Sequence, residues 1–148
     1  MNKERYDIVA NPNRTVFEFN SDGPNGTIKK EIQYTLVNAG GFFYYNLGFG
    51  DLNADTGDIN DLSVSDNKDR DKILATVAHT VIQFTEHMPN AMVYAKGSTP
   101  ARTRLYQMAI SRNYDNITEL LAVHGRVNGR WYQFEKDVNY EAFMALRK

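Results

Sequence analysis

In the segment NKDRDKILATVAHTVIQFTEHM, from Asn67 to Met88, the spacing of hydrophobic residues changes from that of strands to that of a helix. Its core-facing residues recur at the i, i+3, i+4 and i+7 spacing of an amphipathic helix: Leu74, Val77, Ala78, Val81, Ile82, Thr85 and Met88. The spacing predicts a helix over 67–88 that ends before Pro89, with Asp66 or Asn67 as N-cap and Asp69 in the first turn.

Ahead of this helix, runs of β-branched and aromatic residues alternate with turn formers, which predicts strands. The expected strands are Thr15–Asn20, Ile28–Val37, Phe42–Leu52 and Ile59–Ser65. Because turn formers fill Ser21–Gly26 and Asp55–Gly57, we expect these strands to form an antiparallel meander. Gly48 and Gly50 inside the third strand indicate a bulge or a close approach by another backbone.

Behind the helix, the sequence predicts a strand, a second helix and closing strands. Ala91–Lys96 is a short apolar run, and Thr99-Pro100 opens a helix that extends to about Arg112, with Thr99 as N-cap. On a helical wheel its core-facing stripe is Ala101, Leu105, Met108 and Ala109. The Asn128-Gly129 pair predicts a hairpin, and the closing strands are Glu119–Val127, Arg130–Phe134 and Phe143–Leu146.

These elements predict one α+β domain over residues 1–148, with a mainly antiparallel sheet and two principal helices on it. A chain of 148 residues is long enough to bury a single core. The absence of cysteine excludes a disulfide framework and thiolate metal sites. No apolar run suits a membrane span or a signal peptide, so we expect a cytoplasmic protein without membrane insertion.

Charge is unevenly distributed, although 17 basic residues nearly balance 18 acidic ones. Seven carboxylates against two cations lie between Gly50 and Asp71, and six cations against two carboxylates lie between Lys96 and Arg130. The two blocks either form opposite patches or neutralise each other, and ordinary solvated loops explain the same residues.

The segment KGSTPARTRLY, from Lys96 to Tyr106, is the candidate anion site. A strand that passes through small residues into a helix directs backbone N–H groups at one point, where phosphate or carboxylate binds. A glycine permits close approach, hydroxyls add donors and cations add charge; these residues are Lys96, Gly97, Ser98, Thr99, Arg102 and Arg104. A structural joint, with a capping threonine and ion pairs to the acidic block, is the alternative.

Metal and catalytic patterns are weaker. Alternating oxygen ligands over Asp51–Asp61 resemble a calcium loop, but Thr56 and Leu62 stand where an EF-hand needs Gly and Glu. His124 is expected to be a buried or cross-strand histidine, and no serine has a Gly-x-Ser-x-Gly context. A solvated helix face, rather than a zinc site, explains His79, Gln83, Glu86 and His87. We therefore expect no metal, and no catalytic residue is identified.

The aromatic residues are scattered through the predicted strands and are expected to lie mainly in the core. Those near the basic segment have base stacking as an alternative: Tyr106, Tyr114, Trp131 and Tyr132. The partner classes that follow are a phosphorylated small molecule or a nucleic acid.

Four segments resemble those of a family of small bacterial proteins of unknown function: Asn46–Leu52, Ile73–Ala78, Lys96–Tyr106 and Asn139–Phe143. The resemblance covers nearly the whole chain, and the GSTPARTRLY segment is its most specific part. It implies no activity, because no function is established for that family.

The predicted order of elements in the C-terminal two-thirds is similar to that of GNAT-type N-acyltransferases, which use acyl-CoA. That resemblance implies a tyrosine in the last helix, where Tyr106 stands, and a Gly-rich turn for the CoA pyrophosphate. The corresponding turn, Ser65–Asp71, has no Gly and is acidic, which repels pyrophosphate.

Taken from the residues, the function expected is a binding or interaction module with an anion site at the start of its second helix. An acyltransferase and a nucleic-acid-binding module are the alternatives. Enzymatic activity is left open by the sequence.

Overall fold

The computed structural model describes residues 4–52, 59–60 and 68–148. The helices of this part are α1 (Arg70–His87), α2 (Pro100–Arg112) and α3 (Tyr114–Leu120). The strands are β1 (Val9–Ala10), β2 (Val16–Gly23), β3 (Gly26–Ala39), β4 (Phe42–Leu52), β5 (Ile59–Asn60), β6 (Met92–Ala95), β7 (Leu121–Val127), β8 (Arg130–Gln133) and β9 (Ala142–Arg147).

The described strands form one sheet in the order β1-β2-β3-β4-β6-β9-β7-β8, with β5 paired to the end of β4. Neighbouring strands are antiparallel except β4 and β6, which are parallel and joined through α1. The last strand, β9, lies between β6 and β7. The expected fold class, α+β with a mainly antiparallel sheet and two principal helices, is confirmed.

The meander of β2, β3 and β4 is more regular than expected. The turn formers at Ser21–Gly26 predict a long turn, but pairing continues to Gly23 opposite Gly26. Of the two alternatives expected at Gly48 and Gly50, a bulge or a close approach by another backbone, the bulge is wrong, because both residues lie in an unbroken ladder of ten β3–β4 pairs. The ten successive backbone pairs keep β3 and β4 in register despite the two glycines. Of the fourth predicted strand, 59–60 pair with β4, and 61–65 lie outside the described residues.

Helix α1 begins at Arg70, three residues later than expected, and the proposed N-caps at 66 and 67 lie outside the described residues. Asp69 precedes the helix but its side chain makes no cap. Its carboxylate instead accepts hydrogen bonds from the hydroxyls of Tyr6 and Ser21, each at 2.5 Å. The core-facing residues follow the predicted spacing, since Leu74, Val77 and Ala78 are buried and Val81 packs against the core.

Helix α2 has the predicted bounds, but the predicted stripe is wrong at Ala101, which is exposed, and at Leu105 and Met108, which are only half-buried. The residues that face the core are Thr103, Tyr106, Ala109 and Ile110. Thr103 is buried because its hydroxyl accepts the N–H of Gly97 and donates to the carbonyl of Thr99. Ala109 is therefore buried as predicted, but the core-facing side of α2 is rotated from the predicted stripe toward Thr103, Tyr106 and Ile110.

The predicted strand Glu119–Val127 begins too early, because Tyr114–Leu120 forms α3 and β7 begins at Leu121. The side-chain amide of Asn113 donates to the carbonyl of Ala109 at 2.8 Å, which joins the end of α2 to the start of α3. The Asn128-Gly129 hairpin is confirmed, with φ of 51° and 78°, as a type I′ turn requires.

The core lies between the helices and one face of the sheet. One cluster joins β2, β3 and β4 to α1, and a second joins β7 and β9 to α2 and α3. An apolar cavity of about 60 Å³ lies between them, lined among others by Val77, Val81, Tyr106, Ala109 and Ala145. Within the described residues, no helix is both long and apolar enough to cross a membrane.

Candidate functional site

The start of α2, where the anion site is expected, is a tightly bonded turn. Thr99 is the N-cap, as predicted, and its hydroxyl accepts the N–H of Arg102 at 3.2 Å. The N–H of Gly97 donates to the hydroxyl of Thr103 at 3.0 Å. Pro100 has no N–H to offer. The N–H groups of Gly97 and Arg102, which the prediction directs at a ligand, therefore bind within the turn.

Gly97 makes a close contact inside the protein. A Cβ at this position would lie 2.3 Å from the Cβ of Arg102 and 2.5 Å from the backbone N of Thr103. Real Cβ atoms do not come so near backbone, so no other residue fits without displacing the helix. The close approach expected at Gly97 is thus made by the first turn of its own helix.

The other predicted anion-site residues surround this turn. Lys96, Ser98 and Arg104 are exposed, and Arg102 is half-buried. Their positive charge lies at the protein surface, at the end of β6. An anion-binding role for Lys96–Arg104 stays a prediction.

Among the described residues, two ion pairs involve the acidic block. Arg112, at the end of α2, pairs with Asp71 in the first turn of α1, so the basic and acidic blocks touch there. Lys30, buried in β3, pairs with Asp51. Most of the loop that resembles a calcium site, at 53–58 and 61–62, lies outside the described residues.

A polar cluster at the start of α1 anchors the N-terminal segment. Burial, and then the hydrogen bond to Asp69, raises the pKa of Tyr6 above its ordinary value. The N–H of Tyr6 donates to the hydroxyl of Thr76 at 2.9 Å, and the ammonium of Lys72 lies 4.2 Å from its ring centre. Ser21, which carries the nucleophilic hydroxyl of this cluster, is fully buried and closed to a substrate. The contacts of the cluster therefore stabilise the fold.

The histidines of α1 are not grouped with other metal-ligating side chains of the described residues. His79 and Gln83 share a hydrogen bond of 3.2 Å, and burial lowers the pKa of His79. Among the described residues, no three His, Asp or Glu side chains are grouped as a metal ion requires. His124 is half-buried in β7, across from Met144 and Gln133, which matches its cross-strand expectation.

The face of the sheet opposite the helices, here called the helix-free face, carries the residues that sequence reasoning missed. Side chains alternate along each strand, so the neighbours of core residues point to this face. One row across it consists of Thr35, Asn46, Tyr94, Met144, His124 and Gln133. The next row contains Ala142, Arg126 and Trp131. The helices of the described residues pack on the other face.

Aromatic rings form a continuous strip on the helix-free face, from β4 to β8. This aromatic strip consists of Phe42, Tyr44, Tyr94 and Trp131, and its successive ring centres are 6.1, 5.4 and 6.2 Å apart. Phe42 and Trp131, at its two ends, are 50% and 39% exposed. Clustered exposed aromatic residues are typical of binding surfaces, because isolated apolar residues are common at protein surfaces and contiguous ones are not.

Arg126 lies within the aromatic strip. Its guanidinium carbon is 5.8 Å from the ring centre of Tyr94 and 5.5 Å from that of Trp131. Its Nη2 donates to the Tyr94 hydroxyl at 3.3 Å, and its Nε lies 3.9 Å from a carboxylate oxygen of Glu141. A guanidinium has five N–H donors, more than these two contacts use. Ala142 is small and buried and pairs with Arg126 in the sheet. It leaves space above the sheet for the long side chain of Arg126.

Of the four aromatic residues proposed to stack on bases, Trp131 lies on this face. Tyr106 packs in the core, Tyr114 lies against Phe134, and Tyr132 lies on the other side of β8, opposite Gly125. Their selection rested on closeness to the basic segment along the chain. The strip can be identified from side-chain alternation along each strand combined with the order of strands in the sheet. A single sequence provides the alternation but not the strand order.

Comparison with known proteins identifies the family of the chain but does not identify an activity. No curated protein and no solved structure matches the chain. The likeness to GNAT-type acyltransferases therefore stays a prediction. Residues 2–148 match a family described as "Family of unknown function (DUF6934)". The chain belongs to this family, whose function is unknown.

Proposed function

We propose that this protein is a binding module for nucleotide-type ligands, in which the aromatic strip stacks on a base and Arg126 binds a phosphate. The observation that supports the proposal is the position of Arg126 beside two neighbouring rings: its guanidinium carbon lies 5.8 and 5.5 Å from the ring centres of Tyr94 and Trp131, which are 6.2 Å apart. A cation beside two aromatic rings presents a stacking surface and an anion contact side by side, as the two parts of a nucleotide require.

The expected energies favour a ligand that has both parts. Stacking of a base on an aromatic side chain contributes about 1–3 kcal/mol. A hydrogen bond to a charged group contributes about 1.5–3 kcal/mol. A nucleoside uses only the rings and inorganic phosphate uses only the guanidinium, so each should bind more weakly than a nucleotide.

The predicted anion site extends this surface. Lys96 follows Tyr94 by two residues and comes directly after the last β6–β9 pair, Ala95 with Phe143, so strand alternation favours the helix-free face for its side chain. The proposed second phosphate contact therefore consists of Lys96 with the adjoining helix start: Gly97, Ser98, Thr99, Arg102 and Arg104. Exposed cations at Lys96 and Arg104 support it. The internal hydrogen bonds of Gly97 and Thr99 make side chains, rather than backbone, its main donors.

Acyl transfer is the weaker alternative. The GNAT resemblance assigns the CoA pyrophosphate to the turn before α1. Asp69 stands at that position with a carboxylate that accepts two short hydrogen bonds. A carboxylate at this position opposes a pyrophosphate. Acetyl-CoA binding that is independent of Arg126 would favour the acyltransferase.

The single tryptophan of the chain makes the proposal directly testable. Trp131 fluorescence is titrated at low salt with AMP, adenosine and inorganic phosphate. We expect AMP to quench the emission and to bind more tightly than adenosine or phosphate. Equal affinities for AMP and adenosine, or no binding of AMP, would contradict the proposal.

A matched pair of arginine variants provides the control. Arg126→Gln should remove the preference for AMP over adenosine, because it removes the phosphate contact. Arg130→Gln lies on the same hairpin, opposite Val127 rather than on the aromatic strip, and should retain the preference. Loss of the preference in both variants would indicate general charge attraction instead of a site.

A further inference from the structure

Building on the proposed function, we infer that the physiological ligand is a single-stranded nucleic acid that extends along the aromatic strip from Arg126 to Phe42. The strip is too long for one nucleotide. It begins on β8 and ends on β4, with β7, β9 and β6 between them. Its successive ring-centre distances of 6.1, 5.4 and 6.2 Å put the rings of Phe42 and Trp131 at most about 18 Å apart. A mononucleotide leaves most of this surface uncovered.

The strip is also polarised in charge. Between Ile32 and Gly50, which includes both Phe42 and Tyr44, the sequence contains no charged side chain. The positive charge of the strip lies at its opposite end, at Arg126. The Phe42 end therefore offers stacking without a phosphate contact, and the Arg126 end offers both.

A single strand fits this arrangement better than a duplex. Paired bases are stacked on one another and do not expose their faces to a sheet, whereas unpaired bases stack on aromatic side chains. Sheets that bind RNA in this way accommodate roughly two or three bases, which matches a strip of this length. Because every base has a π face, the inferred binding tolerates different sequences.

Two neighbouring phenylalanines provide a matched control. Phe42 and Phe43 are 50% and 57% exposed and occupy successive positions on β4. Phe42 contacts Tyr44 in the strip, at 6.1 Å between ring centres, whereas Phe43 points to the opposite side of the sheet. The two residues share chemistry and exposure and differ in the face they occupy.

The experiment measures the affinity of the full chain for thymidylates of increasing length, from the mononucleotide to the hexanucleotide, at several salt concentrations. Trp131 quenching reports binding. We expect affinity to rise over the first few nucleotides, while the slope of log affinity against log salt steepens only until the phosphate contacts at Arg126 and Lys96 are filled. Nucleotides added after that reach the uncharged end and release no further counterions through protein cations.

Phe42→Ala should weaken binding of the hexanucleotide about fivefold or more and weaken binding of the mononucleotide by a smaller factor. Phe43→Ala should leave both unchanged. A slope that steepens with every added nucleotide, or equal effects of the two variants, would overturn the inference. If AMP binds through Arg126 but length adds no affinity, the inference fails and the proposed function stands. If no nucleotide binds, both fail.

Discussion

The carboxylate of Glu141 lies 3.9 Å from Nε of Arg126, the cation to which we assign phosphate binding. The same carboxylate accepts the N–H of Gly129 at 3.3 Å. Both side chains are partly exposed, so this ion pair contributes little to stability. Its consequence for binding is larger, because Glu141 competes with a phosphate for the guanidinium.

Glu141→Gln should therefore raise nucleotide affinity by about two- to fivefold, the range expected for removal of an exposed charge partner. Glu135→Gln, an exposed carboxylate in the loop before β9, is the control and should have a smaller effect. Quenching of Trp131 by AMP measures both. Reduced affinity of the Glu141→Gln variant would indicate that Glu141 positions Arg126 instead of competing with the ligand.

Gly97→Ala should lower the free energy of unfolding by about 1–3 kcal/mol, because a methyl group there overlaps the first turn of α2. Urea denaturation measures the change. Ser98→Ala, at the next and exposed position, should change stability by less than about 0.5 kcal/mol. Similar stabilities for the two variants would show that the turn relaxes and that Gly97 is not required by packing.

The cavity between the two core clusters predicts a stabilising substitution. Ala145 lines it from β9, where a β-branched residue suits the strand. Ala145→Val should raise the free energy of unfolding by up to about 1 kcal/mol through the apolar atoms added to the cavity. Ala122→Val is the control, because its row lies on the helix-free face. A larger gain at Ala122 would contradict the cavity as the cause.

His79 predicts how stability depends on pH. Burial first, and then the charge of Arg5, lowers its pKa, while Glu86 raises it. The unfolded chain therefore binds this proton more readily than the folded protein does. The stabilisation is complete above the ordinary histidine pKa of about 6.5 and is lost as pH falls from there toward the folded value.

Urea denaturation at a series of pH values tests this point. The wild-type protein should lose stability below about pH 6.5, and His79→Gln should lose less over the same interval. His87→Gln, at an exposed position of α1, should behave like the wild type. Parallel pH profiles for the wild type and His79→Gln would contradict the assignment.

Local sequence signals predict the strands, the bounds of α2 and the Asn128-Gly129 hairpin, because turn chemistry and periodicity act over a few residues. They fail where a contact with a residue distant in sequence determines the structure. The rotation of α2 depends on a hydroxyl contact between Thr103 and Gly97. Tyr94 and Trp131 are far apart in sequence. Their rings are in contact because β9 pairs with both β6 and β7 and so joins the two halves of the sheet. One sequence reveals the alternation in each strand and not which strands become neighbours.

The helix-free face is the surface that we propose binds the ligand. The most direct test is the change in amide and indole N–H chemical shifts of the full chain when a thymidine tetranucleotide is added. We expect the shifts to concentrate at the indole of Trp131 and the amides of Tyr44, Tyr94 and Arg126, with little change at Tyr132. Shifts confined to the helical side, or none at saturating tetranucleotide, would contradict it.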